Sequence, residues 1–352
     1  MDYNPLFADS PYSWPQQKKD ALYLTYMTWL TAFHQNRCQP YRRATTLLPK
    51  KPTPAETLFA IPMIPIRMFK SLPLKSIDDE KIFKTVVSSG TSGQVSQIYL
   101  DETNARNQQL ALYAIVGDLL GPNRLPMLII DTPAILSNRD RFTARGAAVL
   151  GFSIFAKKKC FALTESLQMN TDAIQTFLCH YGQEPFLIFG FTFMIWQYLY
   201  KAASHVSFDL SNAVVVHGGG WKKMQDLAVS PQVFKESLRS RYGIERVHNY
   251  YGMAEQTGSI YVECSHGHLH ASNFSDVIMR DPVDFSPLPV GKQGIIQVLS
   301  PLATAYPGHS ILTEDMGTLL GYDDCPCGRK GKYFSVDGRI PSAEIRGCSD
   351  AH

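Results

Sequence analysis

Several stretches of this 352-residue chain combine residue types that do chemistry. In VVSSGTSGQVSQIYL, Ser88, Ser89, Gly90, Thr91, Ser92 and Gly93 form an unbroken run of small and hydroxylated residues between two β-like segments. Glycines there let backbone N–H groups converge on an anion, and hydroxyls add donors that follow charge moving between phosphates. No Gly-Lys-Ser/Thr follows, so this is not a Walker loop. A plain surface turn is the bland alternative, and the position straight after an apolar strand favours phosphate binding. In AVVVHGGGWKK a buried-type strand runs into His217, Gly218, Gly219 and Gly220. Glycines at the carboxyl end of a strand admit a flat ligand close to the backbone. An HGGG string can also build an oxyanion hole, but the Gly-x-Ser-x-Gly nucleophile elbow this needs is missing from the chain. In HNYYGMAEQTG two tyrosines could stack on a base, and Glu255 could hold a hard cation through its carboxylate.

Cysteine and histidine supply a separate constellation. ECSHGHLH carries Cys264, His266, His268 and His270, and DDCPCGR carries Cys325 and Cys327, each in a turn-rich stretch. Three thiolates and one imidazole make a closed tetrahedral zinc site of the structural kind, with no position left for a reactive water. Cys348, in AEIRGCSD, is flanked by Gly347 and Ser349 and lies two residues after Arg346. That setting is sterically open and helps the thiol toward the nucleophilic thiolate. Cys38, Cys160 and Cys179 sit in helical or apolar contexts and read as core or neutral positions.

These loops need a scaffold. Residues 1–80 read as a helical lead-in, with apolar periodicity over 18–33 and then the Pro-rich TPAETLFAIPMIPIRMF. From Lys84 onward short β-branched runs alternate with helical patterns: KTVV then 102–116, PMLIID then 141–150, FLIFG then 191–203, and AVVVHGGG then 231–242. That alternation indicates an α/β core with a largely parallel sheet and crossover helices. After Val247 short strands such as SDVIMRD, GIIQVLS and SILTED indicate a β-rich closing subregion. The 34 basic and 31 acidic residues leave a net charge of +3, with no basic block interleaved with aromatics, which argues against a nucleic-acid partner. The most apolar stretch, 186–196, falls short of the ~20 residues a membrane span requires. The N-terminus lacks the basic start and apolar run of a secretion signal, so a cytoplasmic protein is expected. Seven cysteines, an odd number, argue for metal-binding or reactive thiols over disulfides.

Taken in order, the Ser/Gly loop, the HGGG strand end, HNYYGMAEQTG, ILTED at 311–315 and VDGRI at 336–340 resemble the core motifs of the adenylate-forming superfamily. Within it the chain is most similar to the LuxE-type acyl-protein synthetases, which carry a comparable SSGT-x-G-x-x-SQ loop, a GGGWK string, a YP…TDD-like segment and a late Gly-Cys. The related phenylacetate-CoA ligases share the cysteine pattern. The likeness runs from about residue 62 to the C-terminus. It implies an adenylate-forming large domain over 81–337, with a zinc subregion at 260–330, and a hinge and short tail over 338–352. It also implies that Ser88 to Gly93 enclose the ATP phosphates, Gly218 to Gly220 line the adenine, Tyr251 stacks on the base and Glu255 binds Mg²⁺. By the same likeness Asp315 accepts from the ribose hydroxyls, Arg339 marks a hinge, and Cys264, His270, Cys325 and Cys327 hold zinc, with His266 or His268 as substitutes for His270. Ala254 stands where many relatives have Thr or Ser, which puts an α-phosphate contact in doubt. The small C-terminal domain and its lysine are expected to be largely absent.

The expected reaction has two halves. A carboxylate attacks the α-phosphorus of ATP to give acyl-AMP and pyrophosphate, then a thiolate, expected to be Cys348, displaces AMP. A fatty acid is the substrate the likeness implies, and a reductase or carrier protein the onward acceptor. The alternatives are an acyl- or aryl-CoA or carrier-protein ligase and a non-catalytic nucleotide-binding module.

Overall fold

The structure, a computed structural model, describes residues 1–47, 56–87, 95–136, 144–202 and 207–340. They form two compact units, one built from residues up to 119 together with 252–340 and one from 120–251.

The first unit opens with a short helix, Asn4–Ala8, followed by the helices Gln16–Arg37 and Gln39–Leu47. Tyr23, Met27, Leu30 and His34 are buried on the longer helix at alternating four- and three-residue steps, the spacing of one helical face. Tyr23 Oη donates to the carbonyl of Asn273 at 2.9 Å, which ties this face to the unit's later strands. Strand β1 (Ile64–Pro65) is short, and β2 (Lys84–Val87) pairs antiparallel with β3 (Gln97–Leu100). This corrects the reading of KTVV as the first strand of the parallel core. Only residues 88–96 separate β2 from β3, whereas a parallel pair needs a crossover of at least a dozen residues. Three of the four β2 residues are also exposed, unlike a strand buried on both faces. The helix Glu102–Leu120 follows β3.

The second unit is the α/β core. Strands β4 (Leu125–Ile129), β5 (Ala156–Phe161), β6 (Phe186–Phe191), β7 (Ala213–Gly218) and β8 (Arg246–Tyr251) are all parallel, in the order β5-β4-β6-β7-β8. Every residue of β6 and β7 is buried, so these strands read as continuous apolar runs. Sequence signals set the crossover helices. Asn170 caps Thr171–Tyr181 by accepting from Ala173 N. Ser230 caps Pro231–Tyr242, with Pro231 in its first turn, and Gly243 at φ 72° ends it. The stretch after β6 is less regular: a short helix, Thr192–Met194, passes into a π-helical turn, Ile195–Lys201. The segments LPMLII and LIFGFTFMIW pack as core.

The rest of the first unit is antiparallel. Strands β9 (Tyr261–Glu263), β10 (Leu269–His270), β11 (Asp276–Arg280), β12 (Gln293–Leu299), β13 (Ser310–Tyr322) and β14 (Lys332–Arg339) run in the order β11-β12-β13-β14-β10-β9, and β1 joins β13 in parallel. No helix among the described residues is long and apolar enough to cross a membrane.

Candidate active site and metal centre

In the second unit β7 and β8 end side by side, with Gly218 opposite Tyr250 in the register. The carboxyl ends of parallel strands are where open α/β sheets take ligands. The three glycines there differ in what they face. A Cβ on Gly218 would fall 2.6 Å from the Tyr250 ring, and one on Gly219 (φ 76°) would strike the ring of Phe191. Gly220 (φ 59°) has no neighbour within 4 Å in that direction, so it is the open member of the run. His217 is buried beneath them. Thr192 Oγ1 lies 3.1 Å from the carbonyl of Gly218 and 2.9 Å from His217 Nδ1. The hydroxyl's one hydrogen goes to the carbonyl, so His217 donates from Nδ1 and its Nε2 carries the lone pair. Burial, reinforced by Lys235 and His248, pulls the His217 imidazole down to about 3. It is a neutral positioning group for the strand end. Tyr251, the last residue of β8, is partly buried.

In the first unit Glu255 is 6% exposed and lies in the 3-10 turn Ala254–Gln256. Both sides of the turn are held. Tyr306 Oη donates to the carbonyl of Glu255 at 2.9 Å, and Gln256 Nε2 donates to the carbonyl of Gly308 at 2.8 Å. Asp315 and Arg339 face each other across β13 and β14 and form an ion pair of 3.5 Å. Both side chains keep surface open.

The structure brings Cys264, His270, Cys325 and Cys327 together, their ligand atoms all within 4.8 Å of one another. Cys264 follows β9 and His270 ends β10, while both later cysteines lie in the turn between β13 and β14. Cys264 Sγ is 4.0 Å from Cys325 Sγ, and Cys327 Sγ is 3.4 Å from His270 Nε2. Tetrahedral bonds of ~2.0–2.3 Å give donor separations of about 3.5–3.8 Å, so this donor set fits a zinc ion. His268 Nδ1 also approaches Cys325 Sγ, at 3.4 Å, but the mutually close set contains His270. Burial and the neighbouring thiols push the Cys325 thiol up to about 12, the reverse of what a bound divalent cation does to a ligating thiol. Arg329, two residues past Cys327, stacks 4.0 Å over the Tyr12 ring and pairs with Asp118 at 2.7 Å.

The sequence matches the family described as acyl-protein synthetase, LuxE, over residues 3–352. The chain belongs to that family. Two curated relatives are long-chain-fatty-acid–luciferin-component ligases, from Vibrio harveyi and Aliivibrio fischeri. Each is 22% identical over 98% of this chain, covering 90% and 91% of the relative. Among solved structures, 2-hydroxyisobutyryl-CoA ligase in an open conformation with 2-HIB-AMP and CoA superposes with a TM-score of 0.71. It is 16% identical, across 95% of this chain and 77% of that one. This acyl-protein synthetase family member therefore has the adenylate-forming fold and is an AMP-forming acid–thiol ligase.

Two groups of family motif residues, Ser88, Ser89, Gly90, Thr91, Ser92 and Gly93 in the Ser/Gly loop and Cys348 in the late Gly-Cys, lie outside the described residues. Other contacts escaped sequence reasoning altogether. Thr192 reaches His217 across 25 residues and Tyr306 reaches Glu255 across 51. No local pattern encodes such pairs, although Tyr306 stands in the YP segment that the family likeness marks.

Proposed function

We propose that this ligase activates a medium- or long-chain fatty acid and passes it through an enzyme-bound thioester to a further acceptor, a reductase or carrier protein. Family membership across almost the whole chain carries the reading, and the two fatty-acid ligase relatives support the substrate class. In the first half-reaction a carboxylate oxygen attacks the α-phosphorus of ATP and pyrophosphate leaves. Residues Ser88 to Gly93 hold the polyphosphate, Glu255 holds the Mg²⁺, and Asp315 takes the ribose hydroxyls. Gly218 to Gly220 line the adenine, on which Tyr251 stacks, and Arg339 serves the hinge. In the second half-reaction the Cys348 thiolate attacks the acyl carbonyl, the bond to the AMP oxygen breaks, and AMP departs with the electron pair. The Cys264, His270, Cys325 and Cys327 set holds a zinc ion whose contribution is structural, because four protein ligands leave no open position. ATP supply and reduced thiols suit a cytoplasmic setting.

Radiolabelled fatty acid with ATP tests the scheme. Wild type should exchange pyrophosphate into ATP and retain hydroxylamine-sensitive label, whereas Cys348→Ser should exchange normally and retain none, because a serine hydroxyl has almost no anion at neutral pH. Undiminished label on the variant would reject this acceptor and favour direct transfer to CoA or a carrier arm. Absence of exchange with every acid in a panel would leave a nucleotide-binding module.

A further inference from the structure

The turn that bears Glu255 is clamped by a buried relay far from it in sequence. Tyr306 is fully buried, and its phenol has one hydrogen, which it gives to the carbonyl of Glu255 at 2.9 Å. Its lone pair then accepts from Gln108 Nε2 at 3.4 Å, and Gln108 Oε1 accepts from the Thr257 hydroxyl. The relay starts at Thr257 and returns to Glu255, so it encloses the turn from both sides. Two glycines permit this closeness. A Cβ on Gly258 (φ 84°) would collide with the backbone of Gln108, and one on Gly308 would strike the Tyr306 ring and lie 3.0 Å from the carbonyl oxygen of Glu255.

The relay is anchored on one helix. Asn104 and Gln108 lie one turn apart on Glu102–Leu120, on a shared face. Asn104 Nδ2 donates to the carbonyl of Leu302 at 2.6 Å, and Asn104 Oδ1 accepts from Ala305 N at 3.2 Å, which fixes the loop leading into Tyr306. That helix follows directly on β3, the partner of the strand that runs into Ser88. The segment entering the phosphate loop and the turn carrying Glu255 are thus built on the same support.

We infer that Tyr306, held by Gln108 and Thr257, is a positioning residue for Glu255: its hydroxyl anchors the Glu255 carbonyl and so sets the backbone from which the carboxylate meets the divalent cation. The inference rests on the reading that Glu255 binds Mg²⁺ during adenylation. Removing the hydroxyl leaves the ring and its packing in place but frees the turn to drift, so the loss falls on cation binding in the first half-reaction. Transfer from acyl-AMP, from which pyrophosphate has already departed, is spared.

The test is pyrophosphate–ATP exchange titrated with Mg²⁺ in wild type, Glu255→Gln, Tyr306→Phe, Thr257→Val and the control Tyr261→Phe, which removes another buried phenol donor of this unit. Thioester formation from supplied acyl-AMP and thermal melting are measured on the same proteins. Tyr306→Phe and Thr257→Val should each raise the Mg²⁺ concentration for half-maximal exchange about fivefold, the loss of one net hydrogen bond. Transfer from acyl-AMP should stay at the wild-type rate, and Tyr261→Phe should leave the Mg²⁺ midpoint unmoved. If Glu255→Gln does not shift the midpoint, the cation assignment itself fails. If Glu255→Gln shifts it but the two relay variants do not, the cation assignment stands and the positioning role is overturned. A fall in melting temperature with an unmoved midpoint counts the same way, and should Tyr306→Phe fail to fold, Thr257→Val decides.

Discussion

A glycine can be demanded by the protein or left open for a ligand, and the run after β7 contains both kinds. Gly218 sits against Tyr250, so Gly218→Ala must displace a ring that also packs on Phe152 and Phe189. Overpacking of this sort costs about 1–3 kcal/mol, read as a lower midpoint in urea. Gly220 faces open space at φ 59°. Gly220→Ala should cost no more than the backbone strain of a left-handed residue, about 1–2 kcal/mol, yet raise KM for ATP because its methyl enters space a base would use. An unchanged KM in a folded Gly220→Ala protein would remove Gly220 from the nucleotide contacts.

At the scale of elements, two hairpins make the candidate metal centre. The β9–β10 hairpin supplies Cys264 from its turn and His270 from the end of β10, the β13–β14 turn supplies Cys325 and Cys327, and the pairing of β10 with β14 brings them together. Arg329 adds a partly buried cation beside them and ties the same region to Tyr12 and Asp118. A filled site would therefore tie the N-terminal segment at Tyr12, the helix Glu102–Leu120 at Asp118 and the antiparallel sheet of the first unit to one another. Elemental analysis of protein purified without chelator should find one zinc per chain. Cys327→Ser should lose it and lower the melting temperature by roughly 5–10 °C, as expected when a ligand of a structural metal is removed. Metal-free wild type with an unaltered melting curve would refute a structural role.

For the whole molecule, acid should act through buried neutral imidazoles. His34 and His309 stack at 5.1 Å in the first unit, both fully buried. His34 Nε2 donates to the carbonyl of Ala303 at 3.0 Å and Nδ1 accepts from Ser76 at 2.7 Å. Burial, partly offset by the Ala303 carbonyl, pulls His34 down to about 3; burial and the nearby His34 pull His309 well below its usual value. With the folded value below the unfolded one, the unfolded chain binds more protons in between. The stabilisation is complete above about pH 6.5 and is lost progressively toward pH 3. His217 contributes in the same direction within the second unit. Each such group adds a slope of about 1.4 kcal/mol per pH unit once the unfolded histidine is protonated. Urea melts from pH 7.5 to 4.5 should show stability falling below pH 6.5, and His34→Gln should flatten that slope by close to one proton. A pH-independent midpoint across this range would contradict the burial argument.

What could be read along the chain was what local chemistry encodes. Alternating apolar runs and helical patterns announced the α/β core, because a strand buried on both faces must be continuously apolar. The helical pattern over 231–242 coincides with the helix Pro231–Tyr242, because caps such as Ser230 and Gly243 satisfy its backbone groups locally. The order of short motifs pointed to the family before any distance was known. KTVV was misread because β propensity says nothing about a strand's partner; the connection length and exposure decided that. Three-dimensional packing brought His270, the histidine the likeness named first, to the thiols, and it alone decided that Gly218 and Gly219 face aromatic rings and that Tyr306 holds the turn of Glu255. These are meetings between residues tens or hundreds of positions apart, and a linear pattern carries no term for a contact that only the folded chain creates.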